Sequence, residues 1–155
     1  MKAYLDIETS FGGEITVVGI FCPPGRMIQL IGDEVNRTNL WKALEGVASI
    51  VTYNGNRFDL PKIRDCMGLD LSKYFDCQDL LYACHRKKLY GGLKKVEENL
   101  GIGRNTRGID GMDAMRLWEQ YRRFADDQSL RILLEYNRED TVNLYHLERR
   151  LSQME

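Results

Sequence analysis

Two acidic side chains lie close together near the start of the chain, within Ala3-Tyr4-Leu5-Asp6-Ile7-Glu8-Thr9. The mostly apolar segment predicts a strand, in which Asp6 and Glu8 share one face while Leu5 and Ile7 share the other. Neighbouring carboxylates on a core strand repel each other, and hard divalent cations with oxygen ligands relieve this repulsion. The pair therefore indicates a metal site, with solvated carboxylates at a strand edge as the alternative.

Two further aspartates are candidates to join this pair. Asp59 follows the segment Asn54-Gly55-Asn56-Arg57-Phe58, where a β-branched strand ends and a helix begins, so we expect it at the carboxyl edge of the sheet. Asp140 lies on a helix with an apolar row that includes Leu133 and Leu144, and the helical period turns it inward. Their alternative roles are a first-turn helix acid for Asp59 and a hydrogen-bonded core acid for Asp140.

The elements that must position these carboxylates form a strand-rich half followed by a helical half. Short turns between the first three strands favour an antiparallel meander, and a helix before the fourth strand makes it parallel to the first. The predicted strands are Lys2–Glu8, Glu14–Phe21, Arg26–Ile31 and Ile50–Tyr53, with a short fifth near Tyr74–Asp76. The predicted helices span 38–46, 58–67, 78–86, 92–100, 112–124 and 127–151. We expect one α/β domain over residues 1–155, with a mixed central sheet and flanking helices.

The charge balance restricts how a polyanion can be bound. The chain has 22 basic and 23 acidic residues and a net charge of -1, so a polyanion must be held by a local patch or through metal ions. The segment His85–Gly108 holds seven Lys and Arg residues against two Glu residues. We interpret it either as a track that follows a phosphate backbone or as a solvated, mobile rim.

Nothing in the sequence indicates a membrane or secreted protein. No apolar run approaches the ~20 residues of a membrane span, and the chain opens directly on a strand pattern without a signal peptide. The four cysteines show neither zinc-site spacing nor a disulfide framework. A cytoplasmic location with no membrane partner is the expectation.

Three motifs, in this order, resemble those of the DEDD exonuclease superfamily, which has the DnaQ-like version of the ribonuclease H fold. They are Asp6-Ile7-Glu8-Thr9, Asn54-x-x-x-Phe58-Asp59 and Tyr136-x-x-x-Asp140. With its tyrosine four residues before the last aspartate, the third motif resembles that of the DEDDy branch. The histidine branch would need His at position 135, where this chain has Glu135. Segments that include Gln78-Asp79-Leu80-Leu81 and Gly92-Leu93-Lys94-Lys95-Val96-Glu97 resemble the YprB-like ribonuclease H-like subgroup. One departure is Cys77, where members often carry His.

The resemblance implies hydrolysis of phosphodiester bonds from the 3' end of single-stranded nucleic acid, with two divalent ions, Mg²⁺ or Mn²⁺. In that scheme Asp6 bridges both ions, Glu8 and Asp140 hold the ion that generates hydroxide, and Asp59 holds the second. Tyr136 is expected to orient the attacking water, because an ordinary pKa of ~10 makes it a poor base at neutral pH. Its alternative role is that of a core aromatic.

Substrate contacts are expected from residues near these motifs, namely Thr9, Phe11, Asn54, Phe58 and Lys94. Phe11, beside two glycines, is the candidate for a mobile wedge against the terminal base. Phe58 is a further stacking candidate, although a core position suits it better. No residue pattern reads a 2'-hydroxyl, so neither DNA nor RNA is favoured. Substrate choice is expected to come from this domain or from a protein partner.

Two other functions compete with the exonuclease. A nucleic-acid-binding subunit that has lost turnover would be favoured by loss of an acidic ligand, and no such loss appears among Asp6, Glu8, Asp59 and Asp140. An endonuclease or junction resolvase is the other, and the Tyr-x-x-x-Asp motif argues against it because that motif resembles the exonuclease branch.

Overall fold

Apolar segments of strand length build a five-stranded sheet in the computed structural model, which describes residues 1–154. The strands are β1 (Lys2–Thr9), β2 (Ile15–Cys22), β3 (Arg26–Ile31), β4 (Ser49–Thr52) and β5 (Asp76–Asp79). Their order is β3-β2-β1-β4-β5, and β2 is antiparallel to both β1 and β3 whereas β4 is parallel to both β1 and β5. The predicted α/β fold class, with a mixed sheet whose first three strands are antiparallel, is confirmed.

Helices flank this sheet on both faces. They are α1 (Arg37–Ala43), α2 (Asp59–Met67), α3 (Leu80–Arg86), α4 (Leu93–Leu100), α5 (Gly111–Phe124) and α6 (Asp127–Ser152). Among residues 1–154, none of the helices combines the length and the apolar character that crossing a membrane requires.

The two faces of β1 enter different parts of the core. Leu5 packs in the cluster formed with α1 and α2, whereas Tyr4 packs in the cluster formed with α3, α4 and α6. Because side chains alternate across a strand, Asp6 and Glu8 lie on the same face as Tyr4. This face of β1 is therefore the one that carries the acidic pair toward α6.

The fifth strand differs from its predicted position. It was expected at Tyr74–Asp76 and lies at Asp76–Asp79, and the helix expected from residue 78 begins at Leu80. The Asp79 carboxylate accepts a hydrogen bond from the backbone N–H of Leu81 at 3.0 Å and so caps this helix. The boundary was missed because β5 is a short, polar strand without alternating apolar residues, so periodicity could not separate it from the helix that follows.

The long helix α6 approaches β2 closely at Gly19. A Cβ atom at this position would lie 2.4 Å from both Asn137 Oδ1 and Thr141 Oγ1. Both residues are buried, and the side-chain amide of Gln29 donates a hydrogen bond to Asn137 Oδ1 at 3.0 Å. A glycine within a strand often marks such a close approach of two elements. Gly19 therefore sets how closely α6 can lie against the sheet.

Replacing Gly19 with alanine is expected to lower the free energy of unfolding by about 2 to 3 kcal/mol, because buried side chains must be displaced to admit the methyl group. The midpoint of urea denaturation measures this change. Gly111→Ala is the matched control, since its Cβ would meet no atom within 4 Å. An unchanged midpoint for Gly19→Ala would show that α6 can shift without cost.

Candidate active site

The end of β1 and the middle of α6 bring three carboxylates together. Oxygen atoms of Asp6, Glu8 and Asp140 all lie within 4.8 Å of one another. Glu8 is only 8% exposed and Asp140 only 4% exposed, so water solvates these charges poorly. Strand alternation turns Asp6 and Glu8 toward α6, and the helical period turns Asp140 toward them. We call these three residues the acidic cluster.

Asp59 borders the acidic cluster at the first residue of α2. Its Oδ2 accepts a hydrogen bond, 3.3 Å long, from the backbone N–H of Ile7. Ile7 is the residue between Asp6 and Glu8 on β1. Asp59 is buried, with 8% of its surface exposed. The structure therefore places the fourth predicted carboxylate against the strand that carries the first two.

The turn that delivers Asp59 is held by Asp79, whose role the motifs do not reveal. The Asp79 carboxylate accepts hydrogen bonds from the backbone N–H groups of Asn54, at 2.7 Å, and Asn56, at 3.2 Å. Asn54 adopts the left-handed conformation, with φ of 60°, which asparagine tolerates better than most residues. The edge strand β5 thus positions the carboxylate that α2 contributes to the site.

Burial and mutual repulsion raise the pKa values of three of these carboxyl groups. Burial, followed by the charge of Asp140, raises the pKa of Glu8 to about 8. Burial raises the pKa of Asp59 to about 7. The pKa of Asp6 lies well above its ordinary value, because of burial and then because of the charges of Asp140 and Glu8. Such a group of carboxylates is stabilised by any cation that can reach it.

Two cations from the predicted basic track turn inward onto Asp140. Lys94 Nζ lies 2.9 Å from Asp140 Oδ1 and 3.0 Å from its Oδ2. Arg104 Nη2 lies 2.6 Å from the same Oδ1, and the Arg104 guanidinium also pairs with Glu97 at 2.8 and 2.7 Å. These two side chains therefore pair with a buried carboxylate, which requires a partner charge, and do not form a mobile rim. Contact between Lys94 and a substrate phosphate stays a prediction. The remaining exposed cations of this segment are Arg86, Lys88, Lys95 and Arg107.

Tyr136 and Asn137 of α6 lie directly beside the acidic cluster. Tyr136 is 2% exposed, and burial followed by the charges of Asp140 and Glu8 raises the pKa of its hydroxyl far above the ordinary value, so the group stays protonated. Asn137 Nδ2 lies 3.3 Å from the backbone oxygen of Asp6 and 3.4 Å from its carboxylate. Asn137 therefore orients Asp6, a role that the motifs do not assign. A polar residue in the inward stripe of α6 is the signal that could have revealed it.

The predicted substrate contacts occupy different environments. Phe11 and Phe58 are 53% and 63% exposed, on the turn after β1 and the turn before α2. The core position that suited Phe58 in the sequence is therefore wrong, because this residue precedes the first turn of α2 and points to solvent. Thr9 is half-buried where the register of β1 and β2 shifts, as is common beside active sites. Asn54 is half-buried, and its Oδ1 has no hydrogen-bond partner among residues 1–154.

The donor set suits a hard divalent cation. Its ligand atoms are all carboxylate oxygens, the chemistry that Mg²⁺ and Mn²⁺ prefer. They converge within 4.8 Å of one another, and burial leaves their charges poorly solvated. The acidic cluster, with Asp59 beside it, therefore fits metal binding better than a purely structural role.

Comparison with known proteins agrees with this chemistry. A family model described as the RNase H superfamily matches residues 3–152, which is nearly the whole chain. No curated protein was found to match the chain. RNase H-like nucleases bind nucleic acid and usually use divalent metal ions, which is the chemistry that the acidic cluster fits. The chain therefore belongs to the RNase H superfamily.

Proposed function

We propose that this protein is a metal-dependent 3'-5' exonuclease that hydrolyses phosphodiester bonds at single-stranded ends. The observation that carries the proposal is the convergence of Asp6, Glu8 and Asp140 within 4.8 Å. When bound, two divalent cations supply the charge that stabilises the attacking and leaving oxygens of an in-line displacement. Asp6, Glu8, Asp59 and Asp140 would hold these cations.

Two features favour action at a chain end. Tyr136, four residues before Asp140, resembles the tyrosine of the DEDDy exonucleases. The exposed rings of Phe11 and Phe58 lie on turns that adjoin the acidic residues of β1 and α2, where aromatic faces can stack on unpaired bases. A site that stacks the last base on an exposed ring would accept a free end in preference to an internal position.

The experiment that tests the proposal is digestion of 5'-labelled single strands of DNA and of RNA with Mg²⁺ or Mn²⁺. A 3'-5' exonuclease leaves the label on progressively shorter fragments, which form a ladder. Early release of a labelled mononucleotide would instead show attack from the 5' end. Cleavage of a circular strand would show endonuclease action. A substrate that stays intact with either metal would favour a binding subunit without turnover. The Asp6→Ala variant is the control, because activity that persists in it would come from a contaminating nuclease.

Tyr136→Phe is expected to lower the rate of hydrolysis by about 10- to 100-fold while metal affinity stays close to that of the wild type. The hydroxyl, kept protonated by its raised pKa, donates a hydrogen bond that orients the attacking water, and loss of orientation has costs of this size. Single-turnover rates together with Mn²⁺ titration separate the two effects. A variant that loses rate and metal affinity in parallel would show that Tyr136 shapes the metal site itself.

A further inference from the structure

Lys94 lies where a cation bound to the acidic cluster would be expected. Its ammonium contacts both oxygens of Asp140, at 2.9 and 3.0 Å. Its charge also lowers the pKa values of Asp6 and Glu8, so it acts on all three carboxylates at once. Arg104, the other cation at Asp140, is already balanced by its two-point pair with Glu97. Lys94 is therefore the cation whose charge compensates the acidic cluster.

Lys94 can leave this position, whereas Arg104 cannot. The side chain of Lys94 is 38% exposed and that of Arg104 is 5% exposed. Arg104 is held by Glu97, which in turn accepts a hydrogen bond from Asn143 Nδ2 at 3.1 Å. The ammonium of Lys94 is held by Asp140 and by the face of the Tyr136 ring, whose centroid lies 4.4 Å away. Because lysine has a flexible four-carbon stem, its ammonium can swing toward solvent once another cation replaces its charge at Asp140.

We propose that Lys94 is a built-in counter-cation that competes with a divalent cation for Asp140 and, once displaced, contacts a phosphate of the substrate. This inference rests on the proposed function, because it requires Asp140 to hold a metal ion. An ammonium that contacts both oxygens of Asp140 occupies one direction of approach at each oxygen, and a metal ion would compete for these directions. The two cations also repel each other strongly at the short distances of such a site.

Displacement leaves Lys94 tethered by α4 beside the acidic cluster. A substrate phosphate brings negative charge to the same place, and lysine binds phosphate as a point charge that needs no fixed geometry. The same side chain would thus stabilise the metal-free protein and then assist substrate binding. Metal loading would precede tight binding of the nucleic acid.

Calorimetric titration of the metal-free protein with Mn²⁺ tests the competition directly. Lys94→Met is expected to bind Mn²⁺ about 3- to 10-fold more tightly than the wild type, because a half-exposed competing charge has been removed. Lys94→Arg, which keeps the charge, should remain close to the wild type. The matched control is Lys95→Met, which removes the same charge from the exposed next position of α4 and should change the affinity much less.

The second half of the proposal is tested at saturating Mn²⁺. There Lys94→Met should raise the KM for the single strand several-fold with a smaller effect on kcat. Equal Mn²⁺ affinities for Lys94→Met and Lys95→Met would overturn the inference and leave the proposed function intact. If neither the wild type nor Lys94→Met binds Mn²⁺ at millimolar concentration, both fail. Lys94→Gln replaces Lys94→Met if circular dichroism shows that the methionine variant is not folded.

Discussion

Replacing Asp6 with asparagine is expected to reduce nuclease activity by about 10³-fold or more and, at the same time, to stabilise the metal-free protein. The negative charges of Asp140, Glu8 and Asp59 all repel the Asp6 carboxylate and raise its pKa. Activity falls because several kcal/mol of transition-state stabilisation depend on the metal ions that this residue would hold. Stability rises because a neutral amide removes repulsion that the charge of Lys94 offsets only in part.

The two effects are measured on one preparation. End-labelled digestion with Mn²⁺ gives the rate, and thermal unfolding at pH 8 with a chelator gives the melting temperature, which should rise by about 2 to 4 °C for each kcal/mol gained. Addition of Mn²⁺ should then raise the melting temperature of the variant by less than that of the wild type. Glu45→Gln, on the exposed surface after α1, is the matched control for the loss of one negative charge. A less stable Asp6→Asn protein would mean that the carboxylate has a structural role.

Periodicity was sufficient to predict which faces of β1 and α6 carry the carboxylates that converge in the structure. Strand alternation placed Asp6 and Glu8 on one face of β1, and the helical period placed Asp140 on the inner face of α6. Both inferences need only the local conformation, and the antiparallel meander followed from short turns. The fold class was therefore accessible from the sequence, since most of its elements, though not the polar strand β5, are marked by their own apolar patterns.

The residues that hold and compensate these carboxylates could not be predicted in the same way. Lys94 and Arg104 belong to a segment whose composition suggests a solvated or phosphate-binding surface, and their direction depends on where α4 packs. Asp79 binds the backbone of a turn about 25 residues earlier in the chain, a contact that exists only once β5 pairs with β4. Phe58 has an apolar side chain but precedes the first turn of α2, so its hydrophobicity alone led to the wrong prediction of a core position. The face of a helix or strand on which a residue lies follows from a repeating pattern in the sequence. The residues that contact it from distant parts of the chain leave no such pattern.

The metal-free protein is expected to lose stability as the pH rises from about 5 to about 8. In the unfolded chain Glu8 and Asp59 ionise near pH 4, whereas in the folded protein their pKa values are raised to about 8 and about 7. Between these values the folded state binds more protons than the unfolded state, so the free energy of unfolding falls with rising pH. Below about pH 4 both groups are protonated in the folded and the unfolded state, and above about pH 8 the loss is complete.

The melting temperature in the presence of a chelator should therefore fall by about 5 to 10 °C between pH 5 and pH 8, which corresponds to a few kcal/mol. Adding Mg²⁺ or Mn²⁺ at pH 8 should restore much of this loss, because the cations bind only the folded arrangement of carboxylates, and it should have little effect at pH 5. Glu8→Gln should flatten the profile, since the amide does not titrate and removes one of the raised groups. A wild-type profile that coincides with that of Glu8→Gln would show that Glu8 ionises normally in the folded protein. The contribution of Glu8 to the repulsion that would favour metal binding at the acidic cluster would then be absent.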